Sequence, residues 1–341
     1  MMTKTEHLLE IPAILRKLSH HHLDKKELSS SHLVVVIEQV LADLFPDLLA
    51  KLEESGISLV KISNHWQLKS VASFEDLAET ILSKGLRKDS IIVGMGGGSL
   101  TDLVGFTASV LLRGVSWISI PTTFLAMIDA SLGGKTGLDT KYGKNLIGSF
   151  HMPINTIICA EFLSTLDPLE MESGCGELIK YALLSKEIEE QIQARKTISD
   201  IIYAAAQYKI EIVKKDFLDS KERRFLNLGH TLGHAFEAYF HLRHGTAVLW
   251  GLYWEHSIMD QNLVASKVLD LAGILGLSLA PKVDLSEFKE FWKYVIRDKK
   301  VEGAQMLELP LVNEKGQLIK VKITLNDFYQ KIDLHAKKLL A

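Results

Sequence analysis

Ile91-Ile92-Val93-Gly94-Met95-Gly96-Gly97-Gly98-Ser99-Leu100-Thr101-Asp102 runs from a β-branched strand through three consecutive glycines into a helical pattern. Without Cβ atoms, the N–H groups of such a turn can approach a phosphate, and the helix that follows presents the positive end of its dipole to the same anion. The strict G-x-G-x-x-G spacing is not met, because Ser99 stands in the last glycine place. The competing reading is a tight turn that merely requires glycine; the order strand, glycines, helix favours a phosphate-bearing ligand. Asp102, one turn into the helix, either meets that ligand or supports the helix's first turn.

On either side of this stretch the first half of the chain alternates between two textures. Leu33 to Ile37, Ile57 to Ile62, Ile91 to Val93 and Trp117 to Ile120 read as short buried strands, while Val40 to Leu52 and Phe74 to Leu86 carry helical spacing. Strands alternating with helices imply βαβ units and a mostly parallel, Rossmann-like sheet. From about Asp167 long helical patterns take over: Glu170 to Ser185, Ser199 to Lys214, Gly229 to His241, Gly245 to Gln261 and Leu285 to Ile296. Met306 to Val312 and Leu318 to Ile323, separated by Asn313-Glu314-Lys315-Gly316, read as a small hairpin. The expected organisation is an α/β N-terminal domain, residues 1–165, and a mainly α-helical C-terminal domain, residues 166–341.

Composition narrows the partners. The chain has 341 residues, 47% hydrophobic and 24% charged, with a formal net charge of -3, so the basic stripe that nucleic-acid binding needs is absent at whole-chain level. Cys159 and Cys175 are far apart and form no disulfide framework or cysteine zinc finger. No run approaches the roughly 18 apolar residues of a membrane helix, and the start lacks a signal-peptide pattern, so the expected setting is cytoplasmic.

Two polar segments carry the chemistry. On a helix from Gly229 to His241, His230, His234, Glu237 and His241 form one stripe beside an apolar face. Imidazole is a common ligand of zinc and related metals, and spacing alone points to His230 with His234. A solvated face is the better reading of His241, while His244, in the loop beyond, can return toward the stripe. Glu177, with Lys180 one turn on, offers a candidate carboxylate, although spacing cannot join it to the histidines. Between Arg113 and Asn145, cations and small residues crowd together, including Asp129, Gly133-Gly134-Lys135 and Gly143-Lys144-Asn145. That suits a loop-built pocket for a phosphorylated, polyhydroxylated small molecule.

Taken in order, these segments resemble the sugar-phosphate cyclases and, within them, the 3-dehydroquinate synthase family. The carrying pieces are Gly96-Gly97-Gly98, Asp102, Gly105-Phe106, Arg113-Gly114, Pro121-Thr122-Thr123, Asp129, Gly133-Gly134-Lys135 and Gly143 through Gly148. They continue with Leu163-Ser164-Thr165-Leu166, Gly176-Glu177, Lys180-Tyr181, Leu226 through Ala235 and His244-Gly245, with a weaker extension to Asp298-Lys299-Lys300. The resemblance implies an NAD-binding N-terminal half, a helical C-terminal half, an active site between them and a homodimer. It implies one divalent metal, zinc or cobalt, on Glu177, His230 and His244, which turns His234 toward the substrate. Substrate-binding positions would be Arg113, Asp129, Lys135, Lys144, Asn145, Lys180, Lys209, Arg223, Asn227, His234 and Lys299. Gly97, Gly98, Asp102, Thr122, Thr123, Lys135, Lys144 and Thr165 would meet NAD. The implied reaction converts 3-deoxy-arabino-heptulosonate 7-phosphate to 3-dehydroquinate and phosphate in the shikimate pathway. It proceeds by transient oxidation at C5, phosphate elimination, re-reduction, ring opening and intramolecular aldol closure.

Three positions depart from the family pattern. Ile37-Glu38-Gln39 stands where an acidic residue and a nearby Asn are usual, Trp66 stands in place of the Glu of Gly-Glu-x-x-Lys, and Thr246 follows His244-Gly245 in place of Glu. A ribose-facing carboxylate contributes a few kcal/mol before desolvation, so weaker NAD binding is expected. The rival readings are an inosose- or valiolone-forming cyclase, a metal-dependent alcohol or glycerol dehydrogenase, and a non-catalytic relative. Arg223 with Asn227, backed by Lys209 and Lys299, looks like a carboxylate clamp and favours the dehydroquinate reading. Gly133-Gly134-Lys135 and Gly143-Lys144-Asn145 argue against the dehydrogenases, and the intact metal and lysine set argues against a non-catalytic chain.

Overall fold

A computed structural model describes residues 1–23, 33–63, 68–277, 288–297 and 306–340. Lys299, Trp66 and the start of the helix expected from Leu285 lie outside the described residues. The chain divides into two compact units, Met1–Leu166 and Asp167–Ala341.

The first unit is built on β1 (Met2–Thr5), α1 (Ile11–Leu23), β2 (Leu33–Glu38), α2 (Gln39–Leu44), α3 (Pro46–Glu54), β3 (Ser58–Ile62), α4 (Val71–Ser83), β4 (Ile91–Gly96) and α5 (Gly98–Val110). β5 (Ser116–Pro121), β6 (Lys135–Thr140), β7 (Gly143–Phe150) and β8 (Asn155–Cys159) complete it. Six strands form one sheet in the order β1-β8-β5-β4-β2-β3, and every pairing in it is parallel. β2, β4 and β8 are buried along their whole length, which explains the apolar runs Leu33–Ile37 and Ile91–Val93: helices cover both faces of a parallel sheet. Leu100, Leu103 and Val104 of α5 pack with Val34, Val36 and Ile92 of the sheet in one apolar core.

Three features differ from the sequence expectation. The helix expected over Val40 to Leu52 is two helices, because Pro46 opens α3 at a position where its missing N–H is harmless, whereas a continuous helix would need that donor. β1 and β8 extend the sheet beyond the four expected strands. The polar stretch expected as loops contains the antiparallel hairpin β6–β7, in which Lys135 faces Phe150 and Gly137 faces Gly148.

The second unit contains α6 (Pro168–Leu184), α7 (Lys186–Gln193), α8 (Ile198–Lys215), α9 (His230–Phe240), α10 (His244–Ile258), α11 (Asn262–Ile274) and α12 (Phe288–Arg297). The hairpin β9 (Met306–Val312) and β10 (Leu318–Thr324) and the terminal α13 (Leu325–Leu340) follow. The expected hairpin is present, its turn closed by Asn313 Oδ1, which accepts from the Lys315 and Gln317 N–H groups at 3.0 and 2.9 Å. An aromatic core fills the space between α9, α10 and α12, where Phe236 and Phe291 stack with centroids 5.1 Å apart and Trp254 is buried against them. His256 ties α10 to β9. Its Nδ1–H donates to the Leu252 carbonyl (2.7 Å), and its Nε2 accepts from the Val312 N–H (3.2 Å).

The helices around the histidines approach more closely than side chains would permit. A Cβ on Gly176 of α6 would lie 2.0 Å from the Gly245 carbonyl oxygen, and a Cβ on Gly251 of α10 would lie 1.9 Å from that of Gly229. Backbone therefore touches backbone at both helix pairs. Gly176, Gly245 and Gly229 stand directly beside Glu177, His244 and His230 in the sequence.

Candidate active site

Glu177 comes from the middle of α6, His230 is the first residue of α9 and His244 the first of α10. α9 is closed by His241, whose φ of 55° reverses the chain, and α10 begins three residues later. The reversal lays His244 against the side of α9, where its Nδ1–H donates to Glu237 Oε2 at 2.8 Å. His230 is held in the same manner by a bond from its Nδ1–H to the Leu228 carbonyl, at 3.0 Å. Both rings thus direct Nε2 to one point, 3.3 and 3.1 Å from Glu177 Oε1. One ligand atom from each of the three residues lies within 4.8 Å of the others. Two imidazole nitrogens and a carboxylate oxygen, each with its outer partner in place, fit a divalent cation.

The electrostatics support that fit. Glu177 and Lys180 are fully buried and 2.5 Å apart. Burial pushes the Glu177 carboxyl up, but the Lys180 ammonium and the imidazoles outweigh it and hold the group well below the usual carboxylate range. For Lys180 burial wins, and its pKa is lowered despite Glu177. Burial brings His230 down to about 4 against the pull of Glu177, so its imidazole is neutral and able to ligate. Burial also opposes the charge on His244, yet hydrogen bonds to Glu177 and Glu237 raise it to about 9. Only the neutral ring of His244 could hold a cation through Nε2.

Beside the cluster lies a cavity of about 380 Å³ lined by Asp219, Arg224, Asn227, His230, Thr231, His234, Glu308, Pro310 and Lys320. It gathers the expected residues Asn227 and His234, with the His234 ring 5.3 Å from that of His230. The loop that leads into it is anchored by Asp216, whose carboxylate accepts from the N–H groups of Ser220, Lys221 and Arg223. Arg223 is buried, with Nη1 donating to the Phe217 carbonyl at 2.8 Å, and Lys209 is buried on α8. Asp219, Arg224 and Lys320 are cavity residues that sequence reasoning missed. Asp216, Asp219, Arg223 and Asn227 do recur at helix-like intervals, but the segment forms a short 3-10 turn rather than a helix.

In the first unit the glycine turn joins β4 to α5. A Cβ at Gly96 would lie 2.8 Å from Glu38 and one at Gly98 2.9 Å from Ala130, so the turn leaves no room for side chains. No side chain caps α5, and close backbone approach at its start fits a dinucleotide phosphate. The Gly97 N–H donates to Oε1 of the buried Glu38 at 3.2 Å, placing one of the protein's own carboxylates at this turn. Thr122 and Thr123 lie alongside: the Thr122 N–H donates to the Gly96 carbonyl, and the Thr123 methyl stands 3.2 Å from a Cβ on Gly97. Asp102 pairs with Lys69 at 2.6 Å, and Lys69 also donates to Asn145 Oδ1. Lys69 thereby brings the turn helix and the β6–β7 hairpin together. It is a further missed residue, legible only as the retained lysine of Gly-Glu-x-x-Lys.

The remaining expected residues are more dispersed. Asp129 sits in a short π-helical turn, and Lys135 and Lys144 are exposed on the hairpin. Thr165 is exposed in the 3-10 turn after β8. Arg113 is separated from the glycine turn by the 13 residues of α5, roughly 20 Å.

Comparison with known proteins agrees with this geometry. Residues 59–173 match the family description "3-dehydroquinate synthase N-terminal", and residues 174–301 match "3-dehydroquinate synthase C-terminal". The 3-dehydroquinate synthase of Staphylococcus saprophyticus is 32% identical over 346 residues, covering 96% of this chain and 97% of its own. That of Bacillus pumilus is 34% identical over 323 residues, covering 89% and 88%. Among solved structures, a 2-deoxy-scyllo-inosose synthase complexed with carbaglucose-6-phosphate, NAD+ and Co2+ superposes with a TM-score of 0.80 at 20% identity, covering 97% of this chain and 95% of that one. A 2-epi-5-epi-valiolone synthase from Streptomyces hygroscopicus, with NAD+ and Zn2+ bound, gives 0.77 at 24%, covering 100% and 96%. With both parts of the family description matched and relatives a third identical along most of their length, this chain belongs to the 3-dehydroquinate synthase family.

Proposed function

We propose that the protein converts 3-deoxy-arabino-heptulosonate 7-phosphate to 3-dehydroquinate and phosphate, a carbon–oxygen lyase reaction with recycled NAD and one divalent cation. The observation that carries this reading is the convergence of Glu177, His230 and His244 beside a cavity that holds Asn227 and His234. When bound, NAD supplies a reversible hydride acceptor and the cation supplies charge stabilisation at the reacting carbon's oxygen.

The chain's own groups account for the rest. Glu177, His230 and His244 would hold the cation; Lys180 keeps Glu177 ionised in a fully buried site. Gly97, Gly98, Asp102, Thr122 and Thr123 would hold NAD, with Lys69 fixing Asp102. Asn227 and His234 face the cavity as hydrogen-bonding groups for hydroxyls, and its wall carries the cations Arg224 and Lys320 together with Asp219 and Glu308, Lys320 lying 3.3 Å from Glu308. Identity of 32–34% to 3-dehydroquinate synthases along most of the chain supports this substrate over those of the inosose and valiolone cyclases, to which the likeness is one of fold. Among the described residues no helix is long and apolar enough to cross a membrane.

The test is release of inorganic phosphate from the heptulosonate phosphate, with and without NAD and with and without a chelator. Release that requires both NAD and metal, with no net NADH, is expected. NADH accumulation with simple polyols would point to the dehydrogenase reading, and release indifferent to chelator would overturn the metal assignment.

A further inference from the structure

Glu255 lies on α10 and is wholly buried. Its Oε1 accepts a hydrogen bond from the Leu232 N–H at 2.8 Å. Leu232 is the third residue of α9, so this carboxylate from a neighbouring helix caps the first turn of α9. The N-cap position of α9 supplies no side-chain cap, since it is Gly229, at a φ of 76°. The contact is possible because Gly251, one turn before Glu255 on the same face of α10, lets the two backbones meet at Gly229. A buried carboxylate is an expensive choice for a packing position, and a helix N-terminus is where its charge is best accommodated.

The first turn of α9 is also the turn that carries His230. His230 is the first residue of that turn, and its ring is fastened to the backbone just before it, at the Leu228 carbonyl. We propose that Glu255 is a positioning residue for the metal centre: by holding the N-terminal turn of α9 against α10, it fixes where His230 presents Nε2 relative to His244 and Glu177. This rests on the metal reading of that cluster.

The test uses the full chain loaded with Co2+, whose visible absorption bands report ligand geometry, together with a chelator-competition titration and hydrogen exchange at the start of α9. Glu255→Met fills the volume without an acceptor, and Glu255→Gln keeps an acceptor. Glu255→Met should shift the cobalt bands, weaken Co2+ binding by about 10- to 100-fold, as loss of an outer-sphere support does, and speed exchange at Leu232. Glu255→Gln should recover most of that affinity. If Glu255→Met fails to fold, Glu255→Asp decides: the shortened side chain must shift the bands and weaken binding. Parent-like bands and affinity in a folded Glu255→Met or Glu255→Asp protein overturn the inference, even at a lower melting temperature. A parent protein with no cobalt bands overturns the metal reading itself, a failure seen before any variant is made.

Discussion

Lys180→Met is expected to destabilise the protein by about 3–5 kcal/mol, the usual consequence of stranding one member of a buried ion pair. The two charges are fully enclosed and 2.5 Å apart. In an effective dielectric of about 20 their attraction is roughly 6–7 kcal/mol. Removing each ion from water costs several kcal/mol, so attraction and desolvation nearly cancel. The titration directions agree: Glu177 is stabilised as an anion, while Lys180 is disfavoured as a cation. The pair as a whole therefore adds little to stability, and its value lies in keeping Glu177 charged. It follows that Lys180→Met with Glu177→Gln should regain at least half of what Lys180→Met alone loses. Guanidinium denaturation followed by circular dichroism, in chelator, on the parent, both single variants and the double variant gives the coupling directly. Additive single effects, or a Lys180→Met loss below about 1 kcal/mol, would refute the reasoning.

Other outcomes follow from the same structure. Burial holds His256 at about 4 against an ordinary 6.5, so the unfolded chain takes up a proton that the native protein refuses. Stability contributed above pH 6.5 should be lost as the pH falls toward 4, by up to roughly 3 kcal/mol, and His256→Gln should flatten that slope in pH-dependent denaturation. Gly251→Ala places a Cβ 1.9 Å from the Gly229 oxygen and should destabilise by about 3 kcal/mol or more, whereas Gly273→Ala, with open space around it on α11, should stabilise by about 0.5–1 kcal/mol; thermal melts separate the two. Glu38→Gln removes a negative charge beside the glycine turn and should tighten NAD binding about tenfold by calorimetry; an unchanged or weaker affinity would show that Glu38 does not oppose the pyrophosphate.

Much of the fold was legible because burial in a parallel sheet leaves an unmistakable trace: Leu33 to Glu38 and Ile91 to Gly96 have no polar alternation to blur. β6 and β7 left no such trace. β7 is exposed along almost its whole length and glycine-rich, so neither apolar period nor β-branched content marked it. β1 spans only four residues and gains its place by pairing with β8. At the site, helical spacing favoured His234 as the partner of His230, yet the ligand atoms converge from His244, because a reversal at His241 is a matter of three dimensions rather than period. Glu38, Glu237 and Glu255 act across space on other elements, and no interval in the sequence links them to Gly97, His244 or Leu232.

The glycines flanking the three candidate ligands have a mechanical consequence. Each ligand side chain grows from a helix whose separation from its neighbour is gauged by main chain on main chain, at Gly176 with Gly245 and at Gly229 with Gly251. Such contacts possess no rotamers, so they cannot relax when residues farther out repack. The aromatic core around Phe236 and Phe291 can therefore change in composition, and the helical unit in stability, while the span of the ligand triangle stays constant. The centre's tolerances are those of rigid backbone, and they isolate its chemistry from drift in the packing that surrounds it.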